Sequence, residues 1–242
     1  MISYSVNDLS LILPIYNEEA RLKKNLKEIK KFISKNKNIE IIFINDGSND
    51  NSNIVIEKFI SKINNNKIIQ IISYKKNIGK GYAIKKGVLT SKKKWVLICD
   101  TDMSVKPNQI NNWSKKKYIT DNKCAYFASR KHSLSKVKTS KIREFLGKIF
   151  NVLIYCLFDI RIKDTQCGFK LFHNSYAKKV FKKISSYRFS FDVELVLILS
   201  KYKIGIKELP VNWTHKTGSK LNIFFDMPIM FFDILKIKFK NN

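Results

Sequence analysis

Three apolar runs in the first half of the chain end alike, each in a polar turn that carries acid or amide side chains. Leu9-Ser10-Leu11-Ile12-Leu13 leads into Pro14-Ile15-Tyr16-Asn17-Glu18, with Pro14 expected to stop the strand. Ile39 to Ile44 leads into Asn45-Asp46-Gly47-Ser48, and Trp95-Val96-Leu97-Ile98 into Cys99-Asp100-Thr101-Asp102-Met103. Runs this short and this apolar read as strands buried on both faces. Helical patterns lie between them: Leu22, Leu26, Ile29 and Ile33 recur among charged residues, and further helices are expected near Ser52 to Ile63 and from Gly81 to Leu89. Lys67 to Ser73 supplies one more strand ahead of Lys94 to Cys99. Strand and helix alternating in this order predict an α/β fold whose mostly parallel central sheet is flanked by helices. Ligands of such sheets sit outside the carboxyl ends of the strands, which is where the acid turns fall.

The last of the three turns is the most telling. Asp100 and Asp102, two apart at a strand end, put both carboxylates at one sheet edge, where neither is buried without a partner. A divalent cation is the natural partner, since carboxylate oxygens are the ligands that Mg²⁺ and Mn²⁺ prefer. An Asp pair at a strand end also serves as a plain turn or helix cap, so the spacing alone leaves both readings open. Asp46, beside Gly47, equally suits an Asx turn.

Lys123 to Ser129 reads as another strand, followed by a basic loop holding Arg130, Lys131, Lys136, Lys138, Lys141 and Arg143. An amphipathic helix is expected from Ile142 to Phe158, then the dense stretch Asp164 to Phe172, a helix around Asp192 to Tyr202 and a strand from Gly205 to Trp213. The chain's 242 residues, 44% of them hydrophobic, suffice for one large domain. We divide the chain into a domain over residues 1–220 and an amphipathic tail helix over 221–242, where Phe224, Phe225, Phe231, Phe232 and Phe239 accompany Lys236, Lys238 and Lys240.

The net charge of +28, from 47 Lys and Arg against 19 Asp and Glu, favours polyanionic partners: nucleic acid, anionic lipid headgroups or phosphorylated substrates. Abundant Lys, Asn and Ile throughout the chain make part of that charge compositional. No RNP aromatics, zinc-ligand spacing or helix-turn-helix pattern accompanies it, which argues against nucleic acid. Cys99, Cys124, Cys156 and Cys167 show no C-x-x-C spacing and lie in or beside apolar segments, so buried free thiols in a reducing compartment are expected. Neither a signal peptide nor an uncharged apolar run of about 18 residues is found, so no membrane span is expected.

In series, Pro14-Ile15-Tyr16-Asn17-Glu18, Asn45-Asp46-Gly47-Ser48, Asn77-Ile78-Gly79-Lys80-Gly81 and Asp100-Thr101-Asp102 resemble the GT-A catalytic domain of inverting family-2 glycosyltransferases. Ala128-Ser129-Arg130, Asp164-Thr165-Gln166-Cys167-Gly168-Phe169-Lys170-Leu171-Phe172, Phe191-Asp192-Val193-Glu194 and Glu208-Leu209-Pro210-Val211-Asn212-Trp213 are similar to dolichyl-phosphate β-glucosyltransferases and related polyprenyl-phosphate glycosyltransferases. The resemblance runs in order over residues 9 to 220. The loop at Lys80 lacks the Walker spacing, which argues against a P-loop ATPase.

That resemblance implies a role for each piece. Pro14, Tyr16, Asn17, Glu18 and Asp46 would surround the donor nucleoside, with Lys80 and Asp100 towards its phosphates. Asp102 would hold Mg²⁺ or Mn²⁺ on the diphosphate, with Asp100 and Ser104 completing the ion's surroundings; relatives often carry a stronger ligand where Ser104 stands. Arg130, Arg143 and Lys170 match positions that dock an acceptor phosphate, and Lys170 stands where relatives often have Arg. Asp164 corresponds to the family acid near the attacking group, as a general base or as the orienter of a cation; with Asp102 and Arg130 it forms the catalytic set. Asp192 and Glu194 either join the site or complement a helix dipole. Trp213, His215 and Lys220 fall in a stretch resembling the late loop near the acceptor.

The implied activity is inverting, metal-dependent transfer of a hexose from a sugar nucleotide, UDP-glucose favoured and GDP-mannose open, to a polyprenyl phosphate. A glycan or lipid hydroxyl is the alternative acceptor and would need a true general base. A lipid acceptor implies a cytoplasmic protein peripheral at the cytoplasmic membrane face, and a basic, aromatic tail suits an anionic lipid surface. Packing of the tail on the core or across a homodimer is its other reading.

Overall fold

A computed structural model of the chain describes residues 6–63, 68–139, 152, 154–158, 160–216 and 223–241. The first half runs β1 (Asp8–Ile15), α1 (Glu19–Lys35), β2 (Asn38–Asn45), α2 (Ser52–Ile60), β3 (Ile69–Ser73), α3 (Lys80–Thr90), β4 (Trp95–Cys99) and α4 (Gln109–Lys115). The second half runs β5 (Cys124–Ser129), β6 (Lys136–Lys138), β7 (Phe169–His173), α5 (Asn174–Lys183), α6 (Phe191–Lys201), β8 (Gly205–Pro210), β9 (Asn212–Thr214) and α7 (Ile223–Asn241). A seven-stranded sheet has the order β3-β2-β1-β4-β7-β5-β8, and β6 pairs with β9 as a separate ribbon. Every neighbouring pair in the large sheet is parallel except the two that β7 makes with β4 and β5.

Strand periodicity divides the core in two. Leu9, Leu11 and Leu13 of β1, Ile41 and Phe43 of β2 and Leu97 of β4 join Leu22, Ile29 and Phe32 of α1 on one face. Ile12, Ile42, Ile44, Val96 and Ile98 face the other way, onto α3, α5, α6 and Ile234 of α7. Both faces are covered, as the unbroken apolar strands require. No described helix is long and apolar enough to cross a membrane.

Several expectations need correction. Pro14 does not stop β1, which continues to Ile15; the register with β4 ends at Ile12↔Ile98, so Pro14 lies where a missing N–H costs one neighbour little. The dense stretch after Asp164 contains β7, a central strand hidden from periodicity by Lys170. The strand expected from Gly205 to Trp213 breaks after Pro210, and Asn212–Thr214 pairs with β6 instead. Helices α4 and α5 were not expected, although α5 carries an apolar repeat at Ala177, Val180 and Phe181; the seven-residue α4 buries only Ile110 and Trp113. Residues 154–158 are helical, whereas 142–151 and 153 of the expected Ile142–Phe158 helix, Arg143 among them, lie outside the described residues. Cys99 and Cys167 are buried free thiols as expected, but Cys124 is half-buried and Cys156 exposed.

Candidate active site

Strands β2, β1 and β4 are consecutive in the sheet and parallel, so their three acid turns line up along one edge. Strand β5 points the same way as β4 because both run against β7, which brings Arg130 to that edge. For the same reason the segment entering β7, Asp164 to Gly168, returns to it.

The β1 and β2 turns are stitched together. Asn17, at φ +51°, accepts from Asn49 N–H at 2.8 Å and donates its own N–H to Ser48 at 3.0 Å. Glu18 holds Arg21 at 2.8 Å, and its backbone N–H reaches Ser52 Oγ at 2.9 Å. Tyr16 is half-buried beside them. Asp46 is enclosed: its carboxylate accepts from the Asn77 side-chain amide at 2.8 Å and from the N–H groups of Ile78 and Gly79 at 2.9 Å each. The Asx role thus falls to the loop that opens α3 rather than to Gly47. Asp46 thereby shapes the loop that delivers Lys80.

Lys80 Nζ lies 2.7 Å from Asp100 Oδ1. Burial pulls the Lys80 pKa down, but the charges of Asp100, Asp192 and Asp102 push it up further, so the ammonium is retained. Across the β4–β7 pair, Cys99 faces Phe169, and the next residue out, Gly168, lies against the Asp100 carboxylate; a Cβ there would collide with it. Asp102 accepts from Ser104 N–H at 2.8 Å and Ser104 Oγ–H at 2.9 Å, an Asx-type turn that leaves Ser104 as an orienter of the carboxylate. The described residues contain no group of three His, Cys, Asp or Glu able to enclose a metal. Two carboxylates with oxygen-only donors nevertheless fit a hard cation such as Mg²⁺, which takes one or two carboxylates and completes its shell from substrate phosphates.

Arg130 grips Asp164 at two points, Nε to Oδ2 and Nη2 to Oδ1, both 2.7 Å, and its backbone N–H adds a third bond to Oδ2 at 2.8 Å. Asp164 is only 2% exposed, whereas the Arg130 side chain is 35% exposed. Burial raises the Asp164 pKa, but the Arg130 hydrogen bonds and charge outweigh it and hold the carboxyl below its ordinary value. The same pair holds the guanidinium pKa above its ordinary value. Glu208, which sequence reasoning quoted without a role, accepts from the N–H groups of Lys163 and Asp164 at 3.0 Å each and so fixes this turn. Trp213 supports the guanidinium from 5.6 Å and stacks on His215. Lys220 lies outside the described residues.

Lys170 departs from expectation. Its register neighbours are Ile98 and Phe127, so it points into the face covered by α3, α5 and α6, 1% exposed. It donates to Asp192 Oδ1 at 2.6 Å and to the Cys167 carbonyl at 2.8 Å, over the Phe127 ring. Asp192 is thus a buried counter-ion, its pKa raised by burial in spite of Lys170. Glu194 is also structural, accepting from Ser185 N–H, Ser185 Oγ–H and Ser186 N–H at 2.6–3.0 Å.

Glycosyl transferase family 2 matches residues 10–181 of the chain. The Dictyostelium discoideum dolichyl-phosphate beta-glucosyltransferase is 35% identical over 96% of this chain and 74% of its own length. The Homo sapiens protein of the same name is 34% identical over 96% and 75%, and that of Saccharomyces cerevisiae 32% over 95% and 74%. Among solved structures, glucosyl-3-phosphoglycerate synthase from Mycobacterium tuberculosis, in complex with Mn²⁺, UDP and glucosyl-3-phosphoglycerate, superposes with a TM-score of 0.66 at 14% identity, over 96% of this chain and 78% of that one. The Pyrobaculum calidifontis mannosyltransferase solved with GDP-Man and Mn²⁺ gives 0.63 at 14%, this chain spanning 97% of its own length and 63% of the mannosyltransferase. At such identity these two establish the GT-A fold and nothing finer. With the acid turns, the Arg130–Asp164 pair and the family match falling on one chain, this protein belongs to glycosyl transferase family 2.

Proposed function

We propose that the protein transfers glucose from UDP-glucose to a dolichyl or other polyprenyl phosphate, with inversion and with a divalent cation. The dolichyl-phosphate beta-glucosyltransferases quoted above support this donor and acceptor. The observation that carries it is the Arg130–Asp164 fork. An acid whose two oxygens both hold a guanidinium, with a lowered pKa, is a poor proton acceptor. It suits a nucleophile that needs none, and a phosphate monoester, with a second pKa near ~6, is largely ionised at neutral pH.

Arg130, held by Asp164 and by Trp213, docks the acceptor phosphate and aims one of its oxygens at the anomeric carbon. The new C–O bond forms on the face opposite the breaking bond to UDP, whose oxygen keeps the electron pair. No proton changes hands at Asp164. Asp102, oriented by Ser104, and Asp100 would hold Mg²⁺ or Mn²⁺, which supplies charge neutralisation on the leaving diphosphate. Lys80 adds a fixed positive charge beside Asp100. Tyr16, Asn17 and Glu18 border the space for the nucleoside. The tail would bring the site to the lipid acceptor at a membrane surface.

The test is incubation of the protein with Mg²⁺ or Mn²⁺, labelled UDP-glucose and dolichyl phosphate. Label entering the organic phase only with metal and lipid supports the proposal. Absence of transfer by protein that still binds UDP-glucose counts against the acceptor.

A further inference from the structure

A cleft of about 370 Å³ borders the loop that opens α3, lined by Ile78, Ser185, Ser186, Tyr187, Arg188 and, from α7, Asp233, Lys236 and Ile237. Ile78 joins it to the β2 turn through its N–H bond to Asp46, but no lining residue belongs to the acid turns themselves or to the Arg130 fork. The cleft is built rather than incidental. Glu194 pins Ser185 and Ser186, while Tyr82 N–H bonds the Tyr187 carbonyl at 3.2 Å. Gly79, at φ +129°, lets the Tyr187 carbonyl approach so closely that a Cβ would collide with it. The other wall is fixed by Ser190 Oγ–H donating to Asp233 at 3.0 Å and by Ile234 and Ile237, which are buried.

Each wall contributes one exposed cation, Arg188 from the loop and Lys236 from α7, and neither has an ion-pair partner among the described residues. Asp233 is the acid in the cleft, and its Oδ2 is engaged by Ser190. Beyond the rim, α7 presents Phe232 and Phe239, 62% and 78% exposed, at helical spacing with Lys236. Aromatic side chains in open solvent beside a cationic cleft complement an anionic membrane interface, where rings enter the headgroup region and cations meet phosphate.

We propose that this cleft binds the phosphate of an anionic phospholipid headgroup, fixing α7 on the membrane at a site separate from the acceptor. Arg188 and Lys236 clamp the phosphate between the loop and the helix. Asp233 is placed to accept a headgroup hydroxyl, which favours a hydroxyl-bearing lipid such as phosphatidylglycerol.

The experiment is co-sedimentation of the full chain with phosphatidylcholine vesicles, with and without about one-fifth phosphatidylglycerol. Arg188→Ala/Lys236→Ala is compared with Lys238→Ala, a cation of the same helix outside the cleft, after circular dichroism and thermal unfolding have shown the fold intact. A diffuse surface charge near the membrane contributes about fivefold to partitioning, so Lys238→Ala falls by about that amount and the cleft pair, acting as a clamp, by about a hundredfold. A loss in the pair no greater than about 25-fold, the product of two such single effects, overturns the proposal. So does release of wild-type protein from the vesicles by millimolar inorganic phosphate at constant ionic strength, which would assign the cleft to a free phosphate ligand. Because the readout is binding without donor or acceptor, it is independent of whether the glycosyl transfer is assigned correctly.

Discussion

Lys170 Nζ lies 2.6 Å from Asp192 Oδ1 on the face of the sheet covered by α3, α5 and α6, both side chains almost wholly enclosed. The lysine that sequence resemblance placed on the acceptor phosphate is therefore a structural counter-ion joining β7 to the first turn of α6.

Removing one partner of such a pair strands a buried charge. Lys170→Met is expected to cost about 3–5 kcal/mol, read as a shift of the urea midpoint, and Lys170→Met/Asp192→Leu to recover most of that loss. An unchanged midpoint with a raised KM for the lipid phosphate would return Lys170 to the acceptor site.

Gly168 leaves room for the Asp100 carboxylate. Gly168→Ala is expected to displace Asp100 from Lys80, costing about 1–3 kcal/mol in stability. Isothermal titration should show weakened UDP-glucose binding in the presence of metal. Gly205→Ala, at the start of β8, is the comparison, because its nearest neighbour is a flexible cysteine side chain.

Much of this was legible in the sequence. The parallel half of the sheet followed from apolar runs punctuated by acid turns, and β1 to β4 lie where periodicity put them. Strand β7 was not legible, because a buried lysine in its centre reads as a surface residue until Asp192 is known to lie opposite it. Acid turns could be listed from local spacing, but their employment could not: Asp46 spends its oxygens on a loop 31 to 33 residues away. Glu208 gave no local signal at all, since its partners are backbone amides 44 and 45 residues earlier. Gly168 did leave one: a glycine just ahead of an apolar run marks a close approach.

The Arg130–Asp164 pair has a pH signature. Asp164 has a lowered pKa in the folded chain, so its contribution is present above the unfolded carboxylate value of about 3.9 and is lost as pH falls towards the folded value. Asp192 has a raised pKa, so its pH dependence is the reverse: its stabilising contribution is fully present below about 3.9 and is lost as pH rises through the folded value. Thermal melts across the acid range should therefore show a shallower loss of stability in Asp164→Asn and a steeper one in Asp192→Asn.

Asp102 hydrogen-bonds only to Ser104 among the described residues. Asp102→Ala should lower stability by no more than about 1 kcal/mol while removing metal-stimulated turnover. Ser104→Ala, which loosens the carboxylate without deleting it, should retain turnover but require more metal for half-maximal rate. Full activity in Asp102→Ala would remove the acid turn from the metal assignment.

The central claim is that the acceptor arrives already ionised. Its most direct measurement offers the protein polyprenyl phosphate and the corresponding polyprenol side by side, with labelled UDP-glucose and Mn²⁺, and follows label into each lipid. The account predicts transfer to the phosphate alone, with a rate that rises through pH ~6 as the monoester ionises and then levels. Transfer to the alcohol would contradict it and restore Asp164 as a general base.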